Sequence, residues 1–265
     1  MKRLLAAALV TLAAAVAVPL ALAAPPTMHP GQLTVAFGDP AVGFASGTVR
    51  GSKVINPKGY EVDLAKAIAG QLGISTINWT YSPWNSLFAP GVKKFDVSFQ
   101  EATITAQRKR TVDFSSSYFN ANQGVLISKS APAPHSLADL KKLQTCAQTN
   151  TTGLDYVQTK LHPSKQPLIY PTTTAAFTAV QIGRCQAIVL DVPIVASERR
   201  ANPTKYGPVA GQIVTHEQYG AVFQKGSPLV QPFDQAIAKL WKNGTVARLQ
   251  QKWFAINFAK VPVLK

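Results

Sequence analysis

Short runs rich in β-branched and aromatic residues alternate with amphipathic stretches of helical period, and the alternation occurs twice along the chain. In the first series QLTVAFG (32–38) has the period of a strand. GYEVDLAKAIAGQLG (59–73) follows as a helix, with Val62, Ala65, Ile68, Ala69 and Leu72 on one face and Gly73 as its stop. STINWTYS then predicts a strand, WNSLFAPGV a short helix or turn, and KFDVSFQ another strand. A chain that alternates in this way builds a largely parallel sheet with helices packed on it.

The second series begins after SSSYFNANQGVLISK. SLADLKKL predicts a helix with Ser136 as N-cap, QTCAQ a strand, and TTGLDYVQTKL the start of a helix. PLIYP is the next strand, TTAAFTAVQIG a helix stopped by Gly183, and CQAIVLD a strand. EQYGAVFQKGSPLV reads as strand and turn, and two amphipathic helical stretches punctuated by Asn243 and Gly244 close the chain. The expected fold class is α/β in two lobes, each a mostly parallel sheet flanked by helices. A cleft between lobes is a common place for a small-molecule site.

The opening MKRLLAAALVTLAAAVAVPLALAAPP joins Lys2 and Arg3 to an apolar run that ends in Ala21-Leu22-Ala23. This is the form of a cleavable signal peptide over residues 1–23. Pro19 inside the run, and Pro25 and Pro26 after it, weigh against a membrane anchor. No cysteine follows the cleavage pattern to carry a lipid. A soluble, exported mature protein is expected, and the rest of the 265 residues suffices for one large domain or two lobes.

The formal charge is +15, but the basic residues are scattered in ones and twos apart from Arg108-Lys109-Arg110. That argues for solubility rather than a nucleic-acid partner. Cys146 and Cys185 both lie in the exported portion. They are a disulfide candidate that would close a loop of roughly forty residues, worth about 3 to 4 kcal/mol if joined, against the alternative of two buried free thiols. His29, His135, His162 and His216 show no ligand spacing, so no metal or cofactor is expected.

No nucleophile elbow, phosphate-binding loop or zinc-protease motif occurs, which makes a binding module the better starting point than an enzyme. In EATITAQRKRTVDFSSSYF, Arg108 follows Thr103 and Thr105 just past the strand FDVSFQ. The carboxyl ends of strands are where α/β folds form ligand crevices. An arginine there offers a planar fork to a carboxylate. Lys109 and Arg110 read as a solvated basic face.

FDVSFQEATITAQRKRTVDFSSSYF resembles the signature of the extracellular solute-binding protein family 3, the polar amino-acid receptors of bacterial ABC importers. That family places Ser/Thr-Ile-Thr-x-x-Arg after a strand and then V-D-F-S-x-P-Y. GYEVDLAKAIAGQLG, QTNTTGLDYV, CQAIVLDVPIVA, EQYGAVFQKGSPL and NGTVARLQQKWF are similar to further family segments in the same order, so the resemblance runs from Gln32 to Phe254. It implies a type II periplasmic binding fold, with lobe 1 over residues 31–120 plus 220–265 and lobe 2 over 124–215. Hinge strands would lie near 120–123 and 215–219. It also implies a periplasmic monomer that captures an L-amino acid, polar or cationic, by lobe closure and delivers it to a membrane permease.

Carried over residue by residue, the resemblance makes Arg108 the partner of the ligand α-carboxylate and Thr103 a hydroxyl for its head group. Thr152, beside Thr151 at a helix N-terminus where free amides favour anions, completes carboxylate binding. Asp191 matches the carboxylate that pairs with the α-ammonium, with a plain N-cap as its alternative. Tyr60 matches an aromatic that stacks on the ligand, with core packing as the alternative; Phe44 is assigned to the core.

Three positions depart from the family pattern. Ala41 stands where relatives often have a second aromatic wall. Glu101 occupies a Gly or Ser position, and a carboxylate there suits a cationic side chain, with Asp39 as a helper. Asn150 replaces a glycine at a turn where asparagine also tolerates positive φ. The rival expectation is an exported cyclohexadienyl (arogenate or prephenate) dehydratase on the same scaffold, with Glu101 as its acid/base group.

Overall fold

The computed structural model describes residues 25–265, so the expected signal peptide at 1–23 lies outside the described residues. Two sheets organise the chain. The first has seven strands in the order β2-β3-β4-β1-β5-β12-β6. Its members are β1 (Gln32–Phe37), β2 (Ser46–Arg50), β3 (Lys53–Lys58), β4 (Thr76–Tyr81), β5 (Val97–Ser98), β6 (Val112–Phe114) and β12 (Val222–Gln224). The second has the order β11-β7-β10-β8-β9. It comprises β7 (Phe119–Ile127), β8 (Thr145–Gln148), β9 (Leu168–Tyr170), β10 (Ala187–Asp191) and β11 (Val209–Tyr219).

Both sheets are mixed rather than mostly parallel. β1 runs parallel to β4 and β5, and β8 runs parallel to β9 and β10. The antiparallel pairs lie where the β2–β3 hairpin joins an edge and where β7, β11 and β12 carry the chain between sheets. β2 and β3, absent from the sequence expectation, turn at Gly51, whose φ of 61° suits a residue without Cβ.

The helices are α1 (Tyr60–Gln71), α2 (Trp84–Leu87), α3 (Leu137–Leu140), α4 (Thr152–Tyr156), α5 (Thr173–Gln181), α6 (Val192–Ala201), α7 (Val230–Lys242) and α8 (Thr245–Trp253). Ser136 caps α3 by accepting the Asp139 N–H, and Gly73 and Gly183 follow α1 and α5 at φ 71° and 75°. Among the described residues no helix is long and apolar enough to cross a membrane.

β7 and β11 pair antiparallel from Phe119–Tyr219 through Ala121–Glu217, and resume at Gln123–Ile213 beyond a bulge. His216 within the bulge has φ 52°. The Asn122 side chain satisfies the freed backbone by accepting the N–H groups of Thr215 and His216, each at 3.0 Å. A bulge beside a cleft bends the strand and re-aims its side chains, here next to Glu217.

Under this crossing Phe44, Tyr60, Phe119, Tyr219 and Phe254 form a buried aromatic cluster, with Phe119 stacked on Tyr219 at 5.6 Å. Val125, Ile127, Leu140, Leu143, Val157 and Val189 build a separate core under the second sheet.

Two expectations are corrected. Cys146 and Cys185 are free thiols, both buried, not a disulfide. One lies on β8, where its thiol donates to Ala176 O at 3.8 Å, and the other just before β10, and both pack as small apolar side chains between neighbouring strands. The C-terminus does not stay with the first sheet. Val263 bridges to Gln212, the Leu264 N–H donates to Gln212 O at 2.8 Å, and Leu264 is buried in the second core, so the chain crosses between the sheets a third time.

Candidate functional site

A cavity lies between the two sheets, lined from one side by Gly38 to Ala41, Trp84 and Gln100 to Thr103 and from the other by Gln148, Thr151, Thr152, Thr173 and Asp191. Arg108 reaches it from a single turn of 3-10 helix, Arg108–Arg110, rather than from the strand end itself. The Thr105 hydroxyl accepts the Arg108 N–H at 3.1 Å and so fixes the turn. The guanidinium lies 4.3 Å from the Phe88 ring centre and 5.1 Å from that of Trp84. It donates to Thr103 O at 2.8 Å and, across the cleft, to Asn150 O at 2.9 Å. Burial lowers the Arg108 pKa to about 10, and the charges of Asp191 and Glu217 act against that loss, so the group is cationic at neutral pH.

Asp191 ends β10 at the N-cap position of α6 but makes no capping bond. Its carboxylate accepts instead from the Tyr219 hydroxyl at 2.7 Å and from the Gln123 amide. Pro193 within the first turn of α6 leaves fewer amides in need of a cap. Burial raises the Asp191 pKa to about 7, with the Glu217 charge in the same direction and the Tyr219 and Gln123 bonds opposing.

Glu217, projecting from β11, is the hub of the site. Its carboxylate accepts from Thr103 at 2.7 Å, from Thr152 at 2.6 Å and from the Gln123 amide at 2.8 Å. Each threonine hydroxyl has one proton to give, and in both cases Glu217 receives it. Thr151 is committed as well: its hydroxyl donates to Gln148 O and accepts the Leu154 N–H as the N-cap of α4.

Glu101 faces the cavity with its backbone at φ 48°, a conformation that suits glycine, one of the two residues the family pattern places there. Its N–H donates at 2.9 Å to Glu61, a fully buried carboxyl on α1 that also accepts from the Tyr118 hydroxyl. The Glu101 side chain lies against Glu61 as well. Burial and then the Glu61 charge push Glu101 well above the usual carboxylate range, and burial takes Glu61 to about 7.

Asn150 adopts φ 59°, and its amide donates to Asn85 at 3.0 Å. With the Arg108 bond and that from Trp84 Nε1 to Thr149 O at 3.1 Å, this joins the two sides over the cavity.

A profile of the bacterial extracellular solute-binding proteins, family 3, matches residues 40–256. The chain belongs to that family. It is similar to the probable histidine-binding protein of Neisseria gonorrhoeae, 31% identical over 241 residues that cover 88% of this chain and 87% of that protein. ABC transporter arginine-binding protein 1 of Escherichia coli (strain K12) is 29% identical over 204 residues, 74% of this chain and 81% of that one. Among solved structures, an ancestral arginine-binding protein bound to glutamine superposes with a TM-score of 0.75 at 29% identity, covering 86% of this chain and 100% of its own. The ancestral amino acid-binding protein AncCDT-1, a precursor of cyclohexadienyl dehydratase, gives 0.72 at 30% identity, over 84% and 95%. The architecture is thus the two-lobed type II periplasmic binding fold.

Within this family 3 receptor, Arg108, Thr103, Asp191, Thr151, Thr152, Glu101 and Asn150 all gather at the interlobe cavity. Tyr60 does not. It is fully buried, its hydroxyl donates to Tyr118 O at 2.8 Å, and its ring packs on Phe119 and Phe254, so it is a core aromatic rather than a cavity wall. Phe44 is buried in the same cluster, and Ala41 lines the cavity. The sequence reading missed Glu61, Gln123, Glu217 and Phe88. Glu61 stands in GYEVDL at a helix start, and its full burial is the one signal local sequence withholds.

Proposed function

We propose that this chain is the solute receptor of an ABC importer and that its ligand is an L-α-amino acid. The observation that carries the reading is the opposition, within one cavity, of the Arg108 guanidinium from one lobe and the Asp191 carboxylate from the other. That pair complements a zwitterionic head group, the carboxylate on the planar fork and the ammonium on the acid. Residues 120–123 and 215–219 form the hinge, and contacts of the ligand with both lobes favour the closed state. The closed monomer is presented to a membrane permease after export through a cleaved signal peptide. Thr103, Thr151, Thr152 and Asn150 serve by shaping the carboxylate end, with their hydroxyls or carbonyl already bonded to protein.

The names of the relatives point to histidine and arginine, and those of the solved structures to arginine and glutamine, which supports an amino acid without choosing its side chain. Titration calorimetry of the ligand-stripped protein with the amino acids tests the proposal. Binding of one side-chain class, lost in Arg108→Ala, is expected; no binding to any amino acid overturns it.

One observation favours a second reading. Glu101 is a carboxyl held well above its usual range inside a cavity, as a general acid requires, and AncCDT-1 is described as a dehydratase precursor. Turnover of prephenate or arogenate, abolished by Glu101→Gln, would establish the enzyme; absence of turnover leaves the receptor.

A further inference from the structure

Glu61 has one oxygen, Oε1, bonded to the Glu101 N–H and the Tyr118 hydroxyl. Its other oxygen, Oε2, is buried with no N–H or O–H donor. What lies against Glu61 is a second carboxyl, that of Glu101. A fully buried carboxylate with a second, half-buried carboxyl against it needs a proton between them, because the pair with two negative charges would have no compensation on the buried side.

Among the described residues, none of the groups that act on this pair is a cation. Tyr60, on the same helix as Glu61, and Tyr118, before β7, are neutral phenols with raised pKa values. From β10 the facing group is Asp191; from β11 they are Tyr219 and Glu217; all of these are acids. Arg108 donates to Thr103 O and Asn150 O and acts on Asp191.

The backbone adds an independent mark. A residue with a Cβ is kept at φ 48° to bring this carboxyl to the cavity wall, and such strain persists where the surrounding structure imposes it for a use. Past Glu101 the wall continues through Gln100 to Asp39, whose carboxylate accepts from Tyr81 at 3.0 Å, so that end of the cavity is acidic and polar.

We infer that the Glu61–Glu101 pair is a subsite for a cationic group on the ligand side chain and that this group enters in exchange for the proton the two carboxyls share. The inference rests on the amino-acid receptor reading. The exchange balances: the pair with one proton carries a single negative charge, the proton leaves to buffer, and an ammonium or guanidinium already cationic in solution replaces it, so the charge enclosed by the closed lobes is unchanged. Asp191 remains free for the α-ammonium. A neutral side chain has no charge to offer, and its binding leaves the proton in place.

The experiment is calorimetry of L-arginine, L-lysine and L-glutamine at one pH in buffers of different ionisation enthalpy, which counts protons released, followed by affinity measurements from pH 5.5 to 8. A cationic ligand is expected to release close to one proton more than L-glutamine and, relative to L-glutamine, to lose up to about tenfold in affinity per pH unit on acidification below the pKa of the pair. L-glutamine should release only the part of a proton that Asp191 gives up to the α-ammonium, which every amino acid shares. Glu101→Gln and Glu61→Gln, each confirmed folded by its thermal transition, should abolish the difference, and two variants guard against the failure of one to fold. Cationic binding with no more release than L-glutamine, or a difference that persists in both variants, overturns the exchange while leaving the receptor reading intact. Binding of no amino acid overturns both.

Discussion

The Thr152 hydroxyl donates to Glu217 at 2.6 Å, and the same carboxylate oxygen accepts from Thr103 at 2.7 Å. One acid on β11 therefore holds a residue from each side of the cavity. Hydrogen bonds to a charged group contribute about 1.5 to 3 kcal/mol each, and on the proposed lobe closure both exist together only in the closed state. Glu217→Ala should shift the protein toward the open form. The expected readouts are a larger radius of gyration by small-angle X-ray scattering and roughly tenfold weaker amino-acid binding, equivalent to about 1.4 kcal/mol. An unchanged radius and affinity would remove Glu217 from the closing device.

Arg108→Lys tests the guanidinium as a shape rather than as a charge. Lysine keeps the charge but loses the fork that reaches Thr103 O and Asn150 O and the plane that lies against Phe88 and Trp84. Affinity for the ligand should fall by about 2 kcal/mol, close to the loss in Arg108→Ala. Calorimetry showing wild-type affinity in the lysine variant would mean that a point charge suffices.

Much of this arrangement is local and could be read in advance. The N-cap at Ser136, the glycine stops after α1 and α5 and the Arg108 turn each depend on residues a few positions apart. The edge hairpin was not legible because its strands are largely exposed and carry Asn56 and Pro57, so they show no apolar alternation. Glu217 and Glu61 were missed for a different reason. Glu217 meets partners 65 to 114 residues away, and Glu61 meets Tyr118 and Glu101 across 57 and 40. Nothing in the neighbouring sequence marks a charged residue that the fold will bury. The tail at 261–265 lies beyond the resembling segments, and only its pairing with β11 reveals which lobe it joins.

Glu101→Gly should raise stability. It relieves a residue at φ 48°, a conformation that costs an L-residue roughly 1 to 2 kcal/mol, and it removes a half-buried carboxyl beside Glu61 while keeping the backbone N–H that Glu61 accepts. The melting temperature of the ligand-free protein should rise by a few degrees. A fall in calorimetric melting temperature would show that the Glu61–Glu101 contact stabilises the fold.

The cavity acids set a pH dependence of stability whose sign is opposite to that of ordinary ion pairs. Glu61 and Asp191 rise from usual values of 4.5 and 3.8 to about 7 on folding, both because of burial. The folded state then holds their protons more tightly than the unfolded state, so the stabilisation is present at low pH and is lost as pH climbs toward about 7. The ligand-free protein should melt at a higher temperature at pH 5.5 than at pH 7.5, and Asp191→Asn should flatten the slope. A melting temperature that rises with pH across this window would contradict the burial of these groups.

The third crossing gives the last prediction. Leu264 is buried in the core of the second lobe, and the tail is fixed by three backbone bonds: Gln212 N–H to Pro262 O at 2.7 Å, Leu264 N–H to Gln212 O at 2.8 Å, and Leu137 N–H to Lys265 O at 3.0 Å. Gly211 leaves room for this contact, since a Cβ there would lie 2.6 Å from the Leu264 side chain. Leu264→Ala should cost about 2 to 4 kcal/mol, the range for emptying a leucine site in a core. The same substitution on a tail that merely lay along the surface would cost almost nothing. Denaturant unfolding separates the two, and a change below about 0.5 kcal/mol would mean that the second lobe does not depend on the tail.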